Sequence, residues 1–205
     1  MSKNLSRRQV IKASGSFVAG AASVTSIPQI GNLVDGFNIV SPAQAQIPPS
    51  LYVKKLPIGS QFILQCAPTD NNGPFLNGIT TNCGVNMVDS ATYPNTGTRW
   101  MVVDQTDTLG YYIFECRGHI QTSCKYLDGR TADDSVGLAP AYSEEYPGTA
   151  WQVYTDGLYE YFNCLEAITL GRDYWLDGRT ADNSVGLAPV IGGIYTGTRW
   201  SMLFL

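Results

Sequence analysis

The most constraining feature of this sequence is a fifteen-residue segment that occurs twice, at residues 126–140 and 175–189. The copies differ at two positions only, Tyr126 against Trp175 and Asp134 against Asn183. Each copy leads, through a turn-rich stretch, to a Gly-Thr-x-Trp sequence. Segments this similar are expected to adopt the same local structure, so the chain is predicted to repeat one structural unit.

A third and more divergent copy lies upstream, in three parts at residues 75–78, 85–88 and 97–100. The tryptophans that close the three copies fall 51 and 49 residues apart. Three cysteines recur at spacings of 50 and 48 residues: Cys66, Cys116 and Cys164. A period near fifty residues, present three times, indicates a repeat architecture before any single residue is interpreted.

Each unit is predicted to contain four strands. An aromatic-rich segment ends in cysteine, and it is followed by a short apolar run, a polar turn, a third apolar run and the closing tryptophan segment. No stretch after residue 45 has sustained helical periodicity. Four strands in each of three units favour an all-β fold of the β-trefoil type, a six-stranded barrel capped by three hairpins. A three-bladed propeller is the alternative, but propellers usually have four or more blades. The predicted units are 56–105, 106–155 and 156–205, after an extended lead-in at 46–55.

The first 45 residues are interpreted as an export signal rather than as part of the fold. Residues 6–12, Ser-Arg-Arg-Gln-Val-Ile-Lys, match a twin-arginine pattern, and a weakly apolar stretch follows at 13–27. Ala43, Gln44 and Ala45 provide a small-residue cleavage site. The apolar stretch is too short and too weakly apolar to span a membrane well, which favours an export signal over an N-terminal anchor helix. We also predict no membrane span in the mature chain. We expect export by the twin-arginine route to the periplasm or the extracellular space.

The charge balance argues against one class of partner. The whole chain carries a formal net charge of −4. Without residues 1–45, nine basic and sixteen acidic residues remain, which gives a net charge of −7. An acidic domain without a run of lysine or arginine is poorly suited to bind nucleic acid or an anionic membrane.

Export would place the five cysteines in an oxidising compartment, where disulfides form and persist. An odd number leaves at least one thiol unpaired or pairs it between chains. Cys116 and Cys124 bracket a short polar segment, so we predict a disulfide between them. Cys66 with Cys83 is the second expected pair, and Cys164 is then expected to be a buried thiol. Sequence alone does not fix the connectivity.

The repeated segment has a purely structural interpretation. Its leucines and the closing tryptophans are expected in the core. Asp128-Gly129 and Asp177-Gly178 are predicted to start a turn, in which the carboxylate accepts backbone N–H groups and glycine supplies a positive φ. Two ion pairs are expected at the rim, in which Arg130 and Arg179 bind Asp133 or Asp182. A symmetric fold needs the same turn in every unit, so the repetition does not by itself require a ligand.

The layout of Leu-Asp, turn, apolar strand and closing x-x-Trp resembles the ricin B-chain type lectin repeat, over the whole chain after the signal. The resemblance implies a secreted β-trefoil that binds carbohydrate. In that family an aspartate after the second strand and an amide beside the closing tryptophan hydrogen-bond a sugar. An aromatic ring on the third strand stacks on it. The aspartate corresponds to Asp128 and Asp177, and to Asn77 in the divergent unit.

The other sugar-binding positions depart from that pattern. Threonine replaces the glutamine of the closing motif, and the ring positions are occupied by Val88, Ala139 and Ala188. A stacked sugar must therefore use aromatic residues in the loops before the closing motif: Tyr142, Tyr146 and Tyr195. Together with Asp128/Arg130 and Asp177/Arg179, these predict two shallow sites. Two sites on one rigid body would give avidity for a glycan or a cell-surface polysaccharide.

Catalysis is not predicted. The acidic pairs, Glu144 with Glu145 and Asp133 with Asp134, are sequence neighbours, whereas glycoside hydrolysis needs carboxylates that face one another about 5–9 Å apart. No metal-ligand cluster, phosphate loop or catalytic triad spacing occurs, so neither a metal nor a cofactor is predicted. The alternative function is a protein-interaction scaffold, or a protease-inhibitor-type trefoil, that binds a secreted protein through a protruding loop. The candidate loops are 67–74, 117–123 and 165–172.

Overall fold

A computed structural model provides the structure, and it describes residues 50–67, 74–92, 94–105, 110–118, 122–166, 170 and 172–205. The predicted export signal and residues 46–49 of the lead-in lie outside these ranges. The described residues form thirteen strands: β1 (Tyr52–Val53), β2 (Gln61–Cys66), β3 (Phe75–Ile79), β4 (Gly84–Val88), β5 (Arg99–Gln105), β6 (Tyr111–Cys116), β7 (Tyr126–Arg130), β8 (Ser135–Ala139), β9 (Ala150–Thr155), β10 (Glu160–Cys164), β11 (Trp175–Arg179), β12 (Ser184–Ala188) and β13 (Trp200–Phe204). Short 3₁₀ helices precede β5, β9 and β13, at Thr96–Thr98, Pro147–Thr149 and Thr196–Thr198.

Six strands close into a barrel, to which each repeat contributes its first and fourth strand. Antiparallel pairing runs in the order β2, β5, β6, β9, β10 and β13, and β13 pairs again with β2. Apolar residues alternate toward the inside, where Phe62, Phe114 and Phe162 are buried. The Phe114 ring meets each of the other two edge to face, with centroids 5.6 Å apart. This barrel confirms the predicted β-trefoil architecture. In the lead-in, β1 pairs with β9.

The other strands form three hairpins, β3–β4, β7–β8 and β11–β12, which are joined to one another by a cycle of hydrogen bonds. Each hairpin turn ends in a left-handed residue with φ between 56° and 58°: Cys83, Asp134 and Asn183. The carbonyl of each of these accepts an N–H group from the next hairpin, at 2.8–2.9 Å, from Leu138, Leu187 and Met87 respectively. The three bonds close on themselves, so the hairpins share the threefold arrangement of the barrel.

The closing tryptophans join the hairpins to the barrel. Trp100, Trp151 and Trp200 are fully buried. Each indole Nε1–H donates to the carbonyl of a leucine in the same repeat, at 3.0–3.1 Å: Leu76, Leu127 and Leu176. An unpaired indole N–H would be costly in the core, so this bond fixes the orientation of the ring as well as its depth.

Two glycines and a cysteine meet without room for another side chain. In the second repeat, a Cβ on Gly148 would lie 2.0 Å from the carbonyl oxygen of Gly129. The Cys164 thiol lies 3.6 and 3.7 Å from the carbonyl oxygens of Gly129 and Gly148. The same contact recurs at Gly78, Gly97 and Cys116, and at Gly178, Gly197 and Cys66. Because each cysteine comes from a neighbouring repeat, the contact also joins the repeats.

The prediction that Asp128-Gly129 and Asp177-Gly178 start a turn is wrong. Both pairs lie inside strands, β7 and β11, where the glycine is required by close packing and not by a positive φ. The turn lies further along the chain, and Asp133 Oδ1 accepts the N–H and hydroxyl of Ser135 there, at 3.2 and 2.7 Å. The third repeat has the same bonds between Asp182 and Ser184.

One disulfide occurs among the described residues, and it departs from the threefold pattern. Cys83 pairs with Cys124, so the predicted Cys116–Cys124 and Cys66–Cys83 pairings are wrong. Cys66, Cys116 and Cys164 are buried thiols that take no part in the disulfide, and all three occupy the equivalent position against glycine carbonyls. Cys83 instead ends the first hairpin turn, and its bond holds that hairpin to the segment that leads into β7.

Replacing Gly148 by alanine tests the glycine contact. The new Cβ would meet a backbone carbonyl at 2.0 Å, so backbone must move. We expect a loss of unfolding free energy of about 4 kcal/mol or more, beyond the range of most single substitutions. Gly157→Ala is the control, since its φ is +94° but only the Tyr52 hydroxyl lies nearby, at 3.8 Å. Its expected loss is about 1 kcal/mol. Urea denaturation measures both losses, and equal values would contradict the assigned contact.

Thiol reactivity tests the cysteine assignment. Burial raises the pKa of the Cys66 thiol to about 12 and also raises the pKa of Cys116, so neither forms the reactive thiolate near neutral pH. We expect no cysteine to react with iodoacetamide in the folded protein, and the three thiols outside the disulfide to react after denaturation without reductant. Mass spectrometry counts the adducts. Reaction of all five cysteines without reductant would show that the Cys83–Cys124 bond does not form.

Candidate functional site

The two Asp-x-Arg sequences lie on the hairpin face that points away from the core. Side chains alternate along a strand, so Asp128 and Arg130 share one face of β7 with Tyr126, while Leu127 is part of the core. The residues opposite them on β8 are small: Ser135, Gly137 and Ala139. In the third repeat, β11 and β12 place Asp177 and Arg179 in the same way.

Each arginine pairs with the aspartate of its own strand. Arg130 Nε donates to Asp128 Oδ2 at 3.4 Å. The guanidinium crosses the facing strand, where a Cβ on Gly137 would lie 2.4 Å from its Nη2. The third repeat has the same arrangement. Arg179 Nε lies 3.7 Å from Asp177 Oδ2, and a Cβ on Gly186 would lie 2.5 Å from Arg179 Nη2. The expected pairing with Asp133 or Asp182 is therefore wrong, and the glycine makes room for an arginine that lies against the hairpin.

The aspartates are buried, whereas their arginine partners are about half exposed. The side chains of Asp128 and Asp177 keep 11% and 6% of their accessible surface, against 46% and 47% for Arg130 and Arg179. Burial raises the pKa of both carboxyl groups, and the neighbouring arginine opposes this shift. The Gly197 N–H also donates to Asp177. The aspartates therefore bond mainly within the protein, and the arginines are the charged groups that this face presents to solvent.

The first repeat replaces the ion pair by an amide pair. Asn77 occupies the aspartate position, and its Nδ2 donates to Asn86 Oδ1 on the facing strand at 2.9 Å. Ile79 takes the arginine position, so the glycine that accommodates arginine is no longer needed and Asn86 fits there. These substitutions are one coupled change, and they leave Asn77 bonded within its hairpin.

Tyr142 provides an exposed aromatic ring in the second repeat. The residue is 42% exposed, and its ring packs edge to face on Tyr126 with centroids 5.0 Å apart. The Lys125 Nζ lies 5.0 Å from the Tyr126 centroid on the same hairpin. We refer to Tyr126 and Tyr142 as the tyrosine pair. It lies on the strand face that also carries Asp128 and Arg130, because Tyr126 precedes Asp128 by two residues.

The third repeat buries the corresponding ring. Trp175 replaces Tyr126, is 2% exposed, and packs against Tyr154 with ring centroids 5.5 Å apart. Ile191 takes the place of Tyr142, since both stand nine residues before the closing tryptophan. The third repeat thus presents an isoleucine where the second presents a tyrosine ring.

The other predicted aromatic residues, Tyr146 and Tyr195, are half-buried at the start of 3₁₀ helices. Their carbonyls accept the hydroxyls of Thr149 and Thr198, at 2.7 and 3.0 Å. The first repeat has the same bond, between Thr98 and Asn95. The threonine that replaces the glutamine of the lectin motif is therefore buried and bonded inside the turn.

A surface cavity of about 500 Å³ in the first repeat was not predicted. The described residues that line it are Ala91, Thr92, Asn95, Thr96 and Arg99 of the first repeat, with Arg117 and Gly118 from the start of the second. The sequence did contain a signal for it. Nine residues before the closing tryptophan, the other repeats have Tyr142 and Ile191, whereas the first has Ala91. A smaller side chain at that position leaves the space open.

Metal-ligand clusters and membrane-spanning helices are both absent from the part of the chain that the structure describes. There, no three His, Cys, Asp or Glu residues come together as metal ligands. Within the same ranges, no helix is long and apolar enough to cross a membrane. Glu144 and Glu145 are exposed on a turn. The loops predicted to protrude, 67–74, 117–123 and 165–172, lie partly outside the described residues.

Comparison with known proteins supports the fold. No family model matches the sequence, and no curated protein matches it. Among solved structures, the β-trefoil of BEL in its apo form aligns with a TM-score of 0.55 and 15% identity, over 74% of this chain and 97% of that one. SeviL, solved with asialo-GM1 saccharide bound, aligns with a TM-score of 0.51 and 14% identity, over 72% and 98%. At these identities the likeness defines the class of fold, a β-trefoil.

The chain also matches parts of larger proteins. A GlcNAcα1-4Gal releasing endo-β-galactosidase from Clostridium perfringens aligns with a TM-score of 0.54 and 14% identity, over 71% of this chain and 32% of that one. Cry35Ab1 aligns with a TM-score of 0.55 and 13% identity, over 73% and 37%. This chain therefore spans about a third of the length of each of these proteins.

Replacing Asp128 and Asp177 by asparagine tests the effect of burying these carboxyl groups. A carboxyl whose pKa is raised by folding contributes stability below its unfolded pKa, and this contribution is lost as pH rises through the folded pKa. The stability of Asp128→Asn/Asp177→Asn relative to wild type should therefore increase as pH rises from about 4. Asn77 shows that the fold accepts an amide at this position.

Asp133→Asn is the control for this experiment. Bonds from the Ser135 hydroxyl and N–H hold the pKa of Asp133 below its ordinary value, so its relative stability should change in the opposite direction with pH. Urea denaturation from about pH 2 to pH 7 measures both variants, because the Asp133 contribution is lost as pH falls below about 4. Parallel pH profiles for wild type and the double variant would contradict the assigned burial.

Proposed function

We propose that this protein is an exported, non-enzymatic carbohydrate-binding module with the β-trefoil fold. The observation that carries the proposal is the tyrosine pair, in which the exposed ring of Tyr142 is held edge to face on Tyr126. A ring fixed by packing offers a flat apolar surface that loses little conformational entropy on binding. Such a surface suits the apolar face of a sugar ring. The likeness to SeviL, whose structure contains asialo-GM1 saccharide, supports this ligand class.

Charged groups near the tyrosine pair supply hydrogen-bond donors for sugar hydroxyls. Arg130 is about half exposed on the same hairpin face and is held by Asp128. Lys125 lies against Tyr126 and bonds the buried carboxylate of Glu115 at 3.2 Å. Because carboxylates already restrain both cations, ligand binding costs less side-chain entropy than it would for free side chains. In the proposed site Tyr142 stacks on the sugar, and Arg130 and Lys125 hydrogen-bond it.

The second repeat is proposed as the principal site. The third repeat keeps Asp177 and Arg179, but it buries Trp175 and presents Ile191 in place of a tyrosine. Without an exposed ring at the position of Tyr142, the third repeat lacks this stacking contact. The proposal therefore replaces the two equal sites expected from the sequence by one.

Export is part of the same proposal. The twin-arginine pattern at residues 6–12 and the small residues at 43–45 support delivery to the periplasm or the extracellular space. The bond between Cys83 and Cys124 suits an oxidising compartment of that kind. The proposed ligand is accordingly a glycan or a polysaccharide outside the cytoplasm.

Tyr142→Ala tests the tyrosine pair. A glycan array identifies a ligand of the wild-type protein, and calorimetry measures its affinity. We expect the variant to bind about tenfold more weakly or worse, since loss of a central aromatic contact costs more than about 1 kcal/mol. Ile191→Ala is the matched control, because it changes the equivalent position of the third repeat and should bind like wild type.

Two results would overturn this proposal. Equal affinities of wild type and Tyr142→Ala would remove the tyrosine pair from the site. Absence of any glycan binding by the wild-type protein would remove carbohydrate as the ligand class. Recovery of a protein partner from the culture medium, unaffected by free sugars, would then favour the protein-interaction alternative.

A further inference from the structure

The cavity of the first repeat is cationic, although the chain as a whole is acidic. Two arginines, Arg99 and Arg117, line it, and no carboxylate is among its described lining residues. Arg117 Nη1 donates to the buried Glu115 at 2.9 Å, and Lys125 binds the same carboxylate. Three cations and one carboxylate thus give this cluster a net charge of +2.

Arg99 is the cation of this cluster whose charge is not paired with a carboxylate in the described ion pairs. It is exposed, and none of the ion pairs in the described ranges includes it. Its backbone carbonyl accepts the Arg117 N–H at 2.7 Å, which brings the two arginines together where β5 begins and β6 ends. In the third repeat, Arg199 holds the equivalent position, but its guanidinium lies 6.0 Å from the Tyr159 ring centroid.

The cavity lining also includes polar side chains, two of which, Thr92 and Asn95, are positioned by hydrogen bonds. Asn95 Nδ2 donates to the Ser90 carbonyl at 3.0 Å, and the Thr92 and Ser90 hydroxyls bond at 2.8 Å. The second repeat has Tyr142 and Tyr146 where the first has Ala91 and Asn95. Small and polar residues in the first repeat thus leave an opening bounded by hydroxyls, an amide and two guanidinium groups.

We propose that this cavity binds the anionic group of an acidic saccharide, either a uronate carboxylate or a sulfate ester, with Arg99 and Arg117 as its charge partners. A planar guanidinium binds such a group through two parallel hydrogen bonds. Thr92, Asn95 and Thr96 provide polar groups for the sugar hydroxyls. The volume of about 500 Å³ is within the range of small-molecule sites. The inference rests on the proposed carbohydrate-binding function and adds a charge requirement to it.

An acidic saccharide fits the cavity better than an acidic peptide does. Acidic peptides are recognised by arginine clusters on an open surface, whereas the two arginines here lie in a concave cavity that hydroxyl and amide groups also line. Glu115 also links the cavity to the tyrosine pair, because it bonds Arg117 in the cavity and Lys125 beside Tyr126. One buried carboxylate thus holds a cation of the cavity and a cation beside the tyrosine pair, and the proposed polysaccharide would contact both places.

Matched charged and neutral polymers test the proposal by calorimetry. Polygalacturonate is compared with its methyl ester, and dextran sulfate with dextran, so that each pair differs only in the anionic group. We expect at least one acidic polymer to bind, with affinity that falls as salt is added, and its neutral counterpart to bind at least tenfold more weakly. The two pairs also distinguish a carboxylate from a sulfate ester as the recognised group.

Two variants locate this binding in the cavity. Arg99→Gln should weaken binding of the acidic polymer by about tenfold or more, the effect expected from loss of a charge-assisted hydrogen bond. Ala91→Tyr copies the second repeat and should fill the cavity without disturbing the fold. Arg199→Gln is the matched control and should retain wild-type affinity, because Arg199 lies against Tyr159 in the third repeat.

The outcomes separate this inference from the proposed function. If Tyr142→Ala loses glycan binding while Arg99→Gln and Ala91→Tyr bind acidic polymers like wild type, the cavity assignment fails and the carbohydrate-binding function stands. Equal binding of the charged and neutral polymers would also overturn the inference. Binding of poly-glutamate without binding of either acidic saccharide would identify the cavity as a site for anionic peptides and would overturn it too.

Discussion

The rest of this structure depends on one close contact, in which two glycine backbones and a cysteine thiol meet without room for a side chain between them. In the second repeat the three residues are Gly129, Gly148 and Cys164. The contact holds the hairpin strand against the closing turn, where the Trp151 indole bonds the Leu127 carbonyl. Because the cysteine comes from the next repeat, the same contact joins neighbouring repeats. Three copies close the barrel and its hairpins, and interiors packed this tightly tolerate added volume poorly.

This symmetry separates the residues that build the fold from those that are available to a ligand. The glycines, threonines and tryptophans that recur in every repeat are buried and bonded within the protein. Asp128 is largely in this group, since it is buried beside the closing turn and paired with Arg130. One position that differs between the repeats lies beside the closing turn, nine residues before the tryptophan. Tyr142, Ile191 and Ala91 share one position, and they give an exposed ring, an aliphatic side chain and a cavity. Recognition is therefore proposed where the repeats differ.

The architecture was predictable because a period near fifty residues and short apolar runs leave few ways to close three units on themselves. The position of the turn could not be predicted, because the sequence Asp128-Gly129 suits an Asx turn as well as a strand. Only the folded structure shows which atoms pack against the glycine. The disulfide was missed because proximity in sequence favoured Cys116, whereas the fold brings Cys83 to Cys124. The cavity was missed because Ala91 belongs to no motif. Only an alignment of the repeats on their closing tryptophans shows that Ala91 replaces a larger side chain, Tyr142 or Ile191.

The central claim is that the position occupied by Ala91, Tyr142 and Ile191, at which the repeats differ, decides which repeats bind a ligand. Titration of isotope-labelled protein with an acidic oligosaccharide, followed residue by residue by nuclear magnetic resonance, tests this claim most directly. We expect shift changes to concentrate at Tyr142 and around Ala91, Arg99 and Arg117, while Ile191 stays unchanged. Shift changes of equal size at equivalent positions of the second and third repeats would contradict it.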